Sequence, residues 1–182
     1  EAETYGAFWR QYGKVLKEGI AGDTLNRERL IELARFNSSA CADGEALITL
    51  KDYLGRMQAG QQEIYYFSGP SREAIERNPH LEFFRKQGLE VLYLTDPVDD
   101  FAMTALHEYE GKPLASIDQA ELAALKDTPA DATPAADALG GERLAALLRL
   151  FKATLGAQVS DVRASRRLVD SPAVLVSADG VP

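Results

Sequence analysis

Residues 63–70 read Glu63-Ile64-Tyr65-Tyr66-Phe67-Ser68-Gly69-Pro70. Ile64 to Phe67 is an unbroken apolar run, rich in aromatic and β-branched types, that ends at a Gly-Pro breaker. Such a run predicts a strand covered on both faces, because a half-solvated strand would alternate. Val91 to Leu94 repeats the pattern and Leu114 to Ile117 repeats it more weakly. Helical signals lie between them. Ser71 is placed to cap a helix over 72–77. Asn78-Pro79 stops that helix and opens another, which Gly88 ends. Asp96-Pro97 opens a third, drawn through Tyr109 and closed by Gly111. The order β-α-β-α-β predicts a small sheet with helices on its faces, since parallel neighbours need such crossovers.

Upstream, residues 1–58 carry helical periods. Phe8, Tyr12, Val15 and Leu16 recur on one face, extended by Trp9 and Ile20, until Gly19, Gly22 and Asp23 break the helix. Asn26 is the expected N-cap of a second helix bearing Leu30, Leu33 and Ala34. A polar loop follows over 37–45. Thr49 with Asp52 makes a capping box for a third helix, whose apolar face is Leu50, Tyr53, Leu54 and Met57 and whose end is Gly60. The expectation is an α/β chain: a three-helix coil over 1–60, then a small α-β-α sandwich over 61–120.

Downstream, small residues, Pro and Gly dominate residues 126–141, and residues 121–140 read as a linker. Leu144, Leu147, Leu148, Phe151 and Leu155 then share one helical face. Residues 159–167 and 173–176 predict two strands of a hairpin joined at Asp170-Ser171-Pro172. A helix and a hairpin bury too little to form a core. Residues 141–182 are therefore expected to be the truncated α+β start of a second domain.

Composition narrows the function. The formal charge is −8, which disfavours a general nucleic-acid partner. A lone cysteine, Cys41, excludes an internal disulfide. No apolar run approaches the ~18 residues of a membrane span. The chain opens on Glu1 with no leader pattern behind it, so an excised piece of a soluble, cytoplasmic protein is expected.

Catalytic constellations are thin. His107 has Glu108 and Glu110 beside it, but on one helix these do not converge, and His80 stands alone. Ser38, Ser39 and Cys41 have no base nearby. Asp96, Asp99 and Asp100 read as an acidic first turn that complements a helix dipole. On 98–109, Val98, Ala102, Ala105 and Tyr109 define a buried stripe. Phe101 falls about 60° from its centre, beside Asp100 and Thr104. Period alone favours packing of Phe101 at the core edge over an exposed contact. No catalytic, metal or cofactor residue is assigned. One competing reading places a ligand or enzyme site beyond the strand ends, at 68–71 and 95–99, although phosphate-binding motifs are absent there.

Four blocks, FWRQYGKVLKEGI, LKDYLGRMQAGQQEIYYFSG, GLEVLYLTDPVDDFAMTALHEYEGKPLASI and SRRLVDSPAVLVS, resemble in sequence and order the heat-shock protein 90 chaperone family in its bacterial form. The likeness covers nearly the whole chain outside 120–140, and the block from Leu50 to Gly69 is highly specific. The resemblance implies a stress-response, protein-folding machine: a homodimer driven by ATP and magnesium that clamps unfolded or partly folded clients. It implies that the present residues are the end of a middle domain, of the coil-plus-sandwich kind, and the start of a C-terminal domain. The ATP domain and the dimerisation helices are expected to lie outside them, so no ATPase activity is expected here. Ser71-Arg72-Glu73 is not the family's ATP-contacting arginine loop, which lies upstream of Glu1. The resemblance matches the family's client contact to Asp100, Phe101 and Thr104, with Phe101 at a position often held by Trp. With the family in view, Phe101 is expected to be exposed.

Overall fold

The computed structural model describes residues 2–41, 46–118, 140–165 and 168–176. The described elements are helices α1 (Ala2–Gly22), α2 (Arg27–Leu33), α3 (Leu50–Arg56), α4 (Arg72–Glu76), α5 (His80–Gln87), α6 (Pro97–Leu106) and α7 (Gly141–Leu155). The strands are β1 (Asn37–Ser38), β2 (Ile64–Ser68), β3 (Val91–Leu94), β4 (Glu108–Tyr109) and β5 (Lys112–Ser116). The linker expected over 121–140 lies, apart from Gly140, outside the described residues.

The sheet order is β1-β3-β2-β5-β4, with β2 parallel to both β3 and β5. Successive strand residues point to opposite faces, and both faces are covered. Ile64, Leu92 and Leu94 pack with Trp9, Ile20, Ile31, Phe36, Leu50 and Tyr53 of the coil and with Ala102 and Met103 of α6. Tyr65, Phe67, Val91 and Tyr93 pack on the other side with Ile75 of α4 and Leu81, Phe83 and Phe84 of α5. The mixed α/β class and the three-layer sandwich follow the expectation. The coil supplies β1 to the sheet and, together with α6, the packing on one of its faces.

Several caps form as the residue types require. Thr49 Oγ1 accepts from the Asp52 N–H at 3.0 Å, while Asp52 Oδ2 accepts from the Thr49 N–H at 2.9 Å. Ser71 Oγ accepts from the Ala74 N–H, and Gly88 takes φ 66° at the end of α5. Asn26 precedes α2, but its side chain does not cap; it donates to Asp23 Oδ2, and Asp23 receives the N–H groups of Leu25 and Asn26.

Four expectations are corrected. The face of α1 is rotated: Phe8, Tyr12 and Val15 are exposed, and Trp9, Gly13, Lys17 and Ile20 are buried. A Cβ on Gly13 would stand 2.8 Å from the Trp9 ring, so the bare glycine is what lets the indole lie flat there. The loop expected at 37–45 instead begins with β1, antiparallel to β3. Tyr109 is not helical. His107 leaves the helix at φ 54°, and Glu110 and Gly111, at φ 47° and 74°, make the two-residue turn of a β4–β5 hairpin. Two consecutive positive φ values are what such a turn demands. His107, Glu108 and Glu110 therefore do not share a helix surface. Finally, residues 159–165 and 168–176 contain no strand among the described residues. A two-stranded hairpin is marginal alone, and residues 169–175 bond to α5 instead.

Candidate functional site

α6 carries the candidate residues Asp100, Phe101 and Thr104, and its rotational setting is fixed from beneath. Pro97 fits the first helical position, where its missing N–H costs nothing. Asp99 Oδ2 accepts from the Asp96 N–H at 3.2 Å, which tightens the first turn. Asp99 also turns inward, where its Oδ1 lies 2.5 Å from Lys17 Nζ on α1. Both residues are buried, at 1% and 6% exposure. The Lys17 ammonium stands 5.0 Å from the Phe36 ring centre and 5.7 Å from that of Trp9. Burial pushes the Asp99 carboxyl above its ordinary range, and the Lys17 charge opposes that rise. The sequence reads Asp99 as part of an acidic first turn that complements the helix dipole; in the structure it is a buried anchor between α1 and α6.

With Asp99, Ala102 and Met103 inside, Asp100, Phe101 and Thr104 face outward together. Phe101 is 69% exposed. Its neighbours are held in place: the Ser68 hydroxyl donates to Asp100 Oδ1 at 2.5 Å, and the Thr104 hydroxyl donates to the Asp100 carbonyl at 2.7 Å. The Tyr66 phenol is pushed up by burial, and the charges of Asp118 and Asp100 add to the shift. The result is a projecting aromatic ring with an anchored acidic and hydroxyl border. Such a surface can make apolar contact with a partner; it holds no acid–base pair.

The other candidates land elsewhere. Beyond the ends of β2 and β3, the Ser68 hydroxyl is engaged by Asp100, Ser71 caps α4, and the Ile75 side chain fills the space at Gly69, 2.6 Å from where a Cβ would stand. Cys41 is buried, with its Sγ 3.6 Å from Ser38 Oγ. An open cleft of about 450 Å³ lies beside Ser39, Arg56, Arg85, Glu90 and Tyr93, which sequence reasoning missed. Its Glu90 carboxylate is held by Arg56 at 2.8 and 2.9 Å and by the Ser38 hydroxyl at 2.6 Å. Among the described residues, no group of three or more His, Cys, Asp or Glu side chains is arranged to hold a metal. No described helix is long and apolar enough to cross a membrane.

Arg72 does not fit a phosphate-contacting role. It donates to Asn37 Oδ1, to the Cys41 carbonyl at 2.6 Å, and pairs with Glu76 at 2.7 Å.

The family model described as Hsp90 protein matches residues 1–180. The chain is 45% identical over 184 residues to the chaperone protein HtpG of Oleidesulfovibrio alaskensis, covering 99% of this chain and 29% of that relative. It is 45% identical over 177 residues to the chaperone protein HtpG of Chlorobaculum tepidum, covering 97% of this chain and 27% of that relative. To the chaperone protein HtpG of Streptomyces coelicolor it is 46% identical over 178 residues, covering 98% and 27%. The chain thus spans under a third of the length of these relatives.

Proposed function

Because the chain belongs to the Hsp90 protein family, we propose that it serves a molecular chaperone by presenting α6 as a contact surface for unfolded or partly folded clients. Phe101 is the anchor of that surface, with Asp100 and Thr104 beside it. The observation that carries this reading is the 69% exposure of Phe101 on a helix whose inner face is closely packed. An exposed ring suits many partners rather than one. The net charge of −8 opposes self-association of a chain that displays apolar groups. In the whole protein, ATP hydrolysis with magnesium and homodimerisation through C-terminal helices would drive the clamp, in the cytoplasm, as the family resemblance implies. The test is binding of a reduced, alkylated protein that cannot refold. The chain should bind it, and Phe101→Ala should weaken binding about tenfold or more, as expected for a buried aromatic contact. Equal binding by the variant would refute the assignment.

A further inference from the structure

The first turn of α5 holds the C-terminal stretch of the described chain. Glu82 Oε2 accepts from three successive backbone N–H groups: Val169 at 2.8 Å, Asp170 at 3.0 Å and Ser171 at 3.2 Å. The Ser171 hydroxyl donates to Glu82 Oε1. Six residues from Val169, the Leu175 carbonyl lies 2.9 Å from His80 Nε2, and since a carbonyl only accepts, the imidazole donates. His80 is itself buried and packs 5.7 Å from the Phe67 ring, so this second point is fixed to the sandwich core.

Residues 168–176 contain no helix or strand. Val169 and Leu175 are 41% and 79% exposed, whereas Leu168, Val174 and Val176 are half-buried. Consecutive N–H groups curled about one oxygen form an anion nest, and a charged acceptor strengthens each bond. Here the usual arrangement is inverted: the nest belongs to a loop and the anion to a helix side chain. The turn at residues 169–171 is thereby ordered by one carboxylate, and the Leu175 carbonyl is held separately by His80.

We infer that Glu82 is a latch that fixes residues 169–171 against α5 and so couples the chain beyond the 119–139 region to the sandwich. Because these bonds converge on a single carboxylate, losing it releases residues 169–171 together, while the His80 bond to Leu175 remains as a second tether. The latch does not involve Phe101 or α6, so it stands apart from the client-contact reading.

The test is amide hydrogen exchange on the full chain. In the unaltered protein, the Val169, Asp170 and Ser171 amides should exchange slowly despite lying outside any helix or strand. Glu82→Gln keeps the shape but loses the charge and sets an amide N–H against donors. It should speed exchange at these three amides about ten- to a hundredfold, while Tyr65 and Leu92 in the sheet stay protected. Ser171→Ala keeps all three N–H bonds and should have a smaller effect confined to the same amides. Fast exchange in the unaltered chain, or unchanged exchange in Glu82→Gln, would overturn the latch.

Discussion

Lys17 Nζ on α1 and Asp99 Oδ1 on α6 lie 2.5 Å apart in a setting where both side chains are almost wholly buried. This pair joins the coil to the helix that carries Phe101. Taking two charges from water is costly, and removing one partner leaves the other uncompensated, at about 3–5 kcal/mol. Asp99→Asn and Lys17→Met should each destabilise by about that much in a denaturant melt. The two variants should differ in pH dependence. Burial raises the Asp99 pKa above 3.8, and losing Lys17 removes the opposing charge. A carboxyl whose folded pKa exceeds its unfolded value binds more protons when folded, so stability falls as pH rises between the two. Lys17→Met should therefore regain stability on moderate acidification, whereas Asp99→Asn should not. A matched apolar pair, Lys17→Met with Asp99→Leu, should recover much of the loss. Identical pH profiles for the single variants would contradict this account of the pair.

The strands β2 and β3 were legible because Ile64 to Phe67 and Val91 to Leu94 are buried on both faces and contain no polar interruption. The caps at Thr49 and Ser71 were legible because they are local. What was lost is non-local. Asn37 and Ser38 pair with Tyr93 and Leu92, far along the chain, and a two-residue strand leaves no period to read. The helical period continues numerically past Leu106, and Gly111 signals a helix end as well as it signals a turn. On α1, two candidate stripes lie side by side, and Gly13 under Trp9 decides between them. The margin position of Phe101 was visible, but period alone set it against the core. The inward turn of Asp99 resolves it, and a hydropathy pattern places an aspartate outside by default.

Tyr53 offers a test of how the coil is bound to the sheet. Its hydroxyl donates to the Glu90 carbonyl at 2.7 Å and accepts from the Tyr65 N–H at 3.0 Å and from Gln61 Nε2 at 3.1 Å. Burial pushes the phenol up to about 12. Tyr53→Phe fills the same space but leaves buried backbone groups without this partner. The expected loss is about 2–4 kcal/mol, the cost of one or two unsatisfied groups. A melt within error of the unaltered chain would show that water replaces the hydroxyl there.

Acid should open the Glu82 latch before other features of the α5 region respond. The Ser171 hydroxyl, then the Val169 and Asp170 N–H groups, hold the Glu82 carboxyl down at about 2, from an ordinary 4.5. A depressed folded pKa means the bonds are fully present above 4.5 and lost as pH falls towards 2. After correction for intrinsic exchange, protection at Val169, Asp170 and Ser171 should be flat from pH 8 to 5 and fall below 4.5. In Glu82→Gln the same amides should show no titration in that window.

Phe101 and Met103 sit two residues apart on α6 with opposite surroundings, 69% and 2% exposed. Truncating a packed methionine costs about 2–5 kcal/mol, whereas a ring mostly in water loses little area and should cost under about 1 kcal/mol. Phe101→Ala should leave the melt nearly unchanged and weaken binding of an unfolded client. Met103→Ala should do the reverse: a clear loss of stability, with client binding retained wherever the chain is still folded. Tyr109→Ala separates helix from sandwich. Its side chain is buried in β4, and its hydroxyl donates to Glu32 Oε1 at 2.6 Å, so it should destabilise without touching the α6 surface. Thr104→Val removes the bond to the Asp100 carbonyl while keeping the side-chain volume. It should shift client binding less than Phe101→Ala, because the ring supplies the apolar contact and Thr104 only its border. If Phe101→Ala unfolds the chain as severely as Met103→Ala, the ring is part of the core in solution. The contact surface on α6 is then wrongly placed.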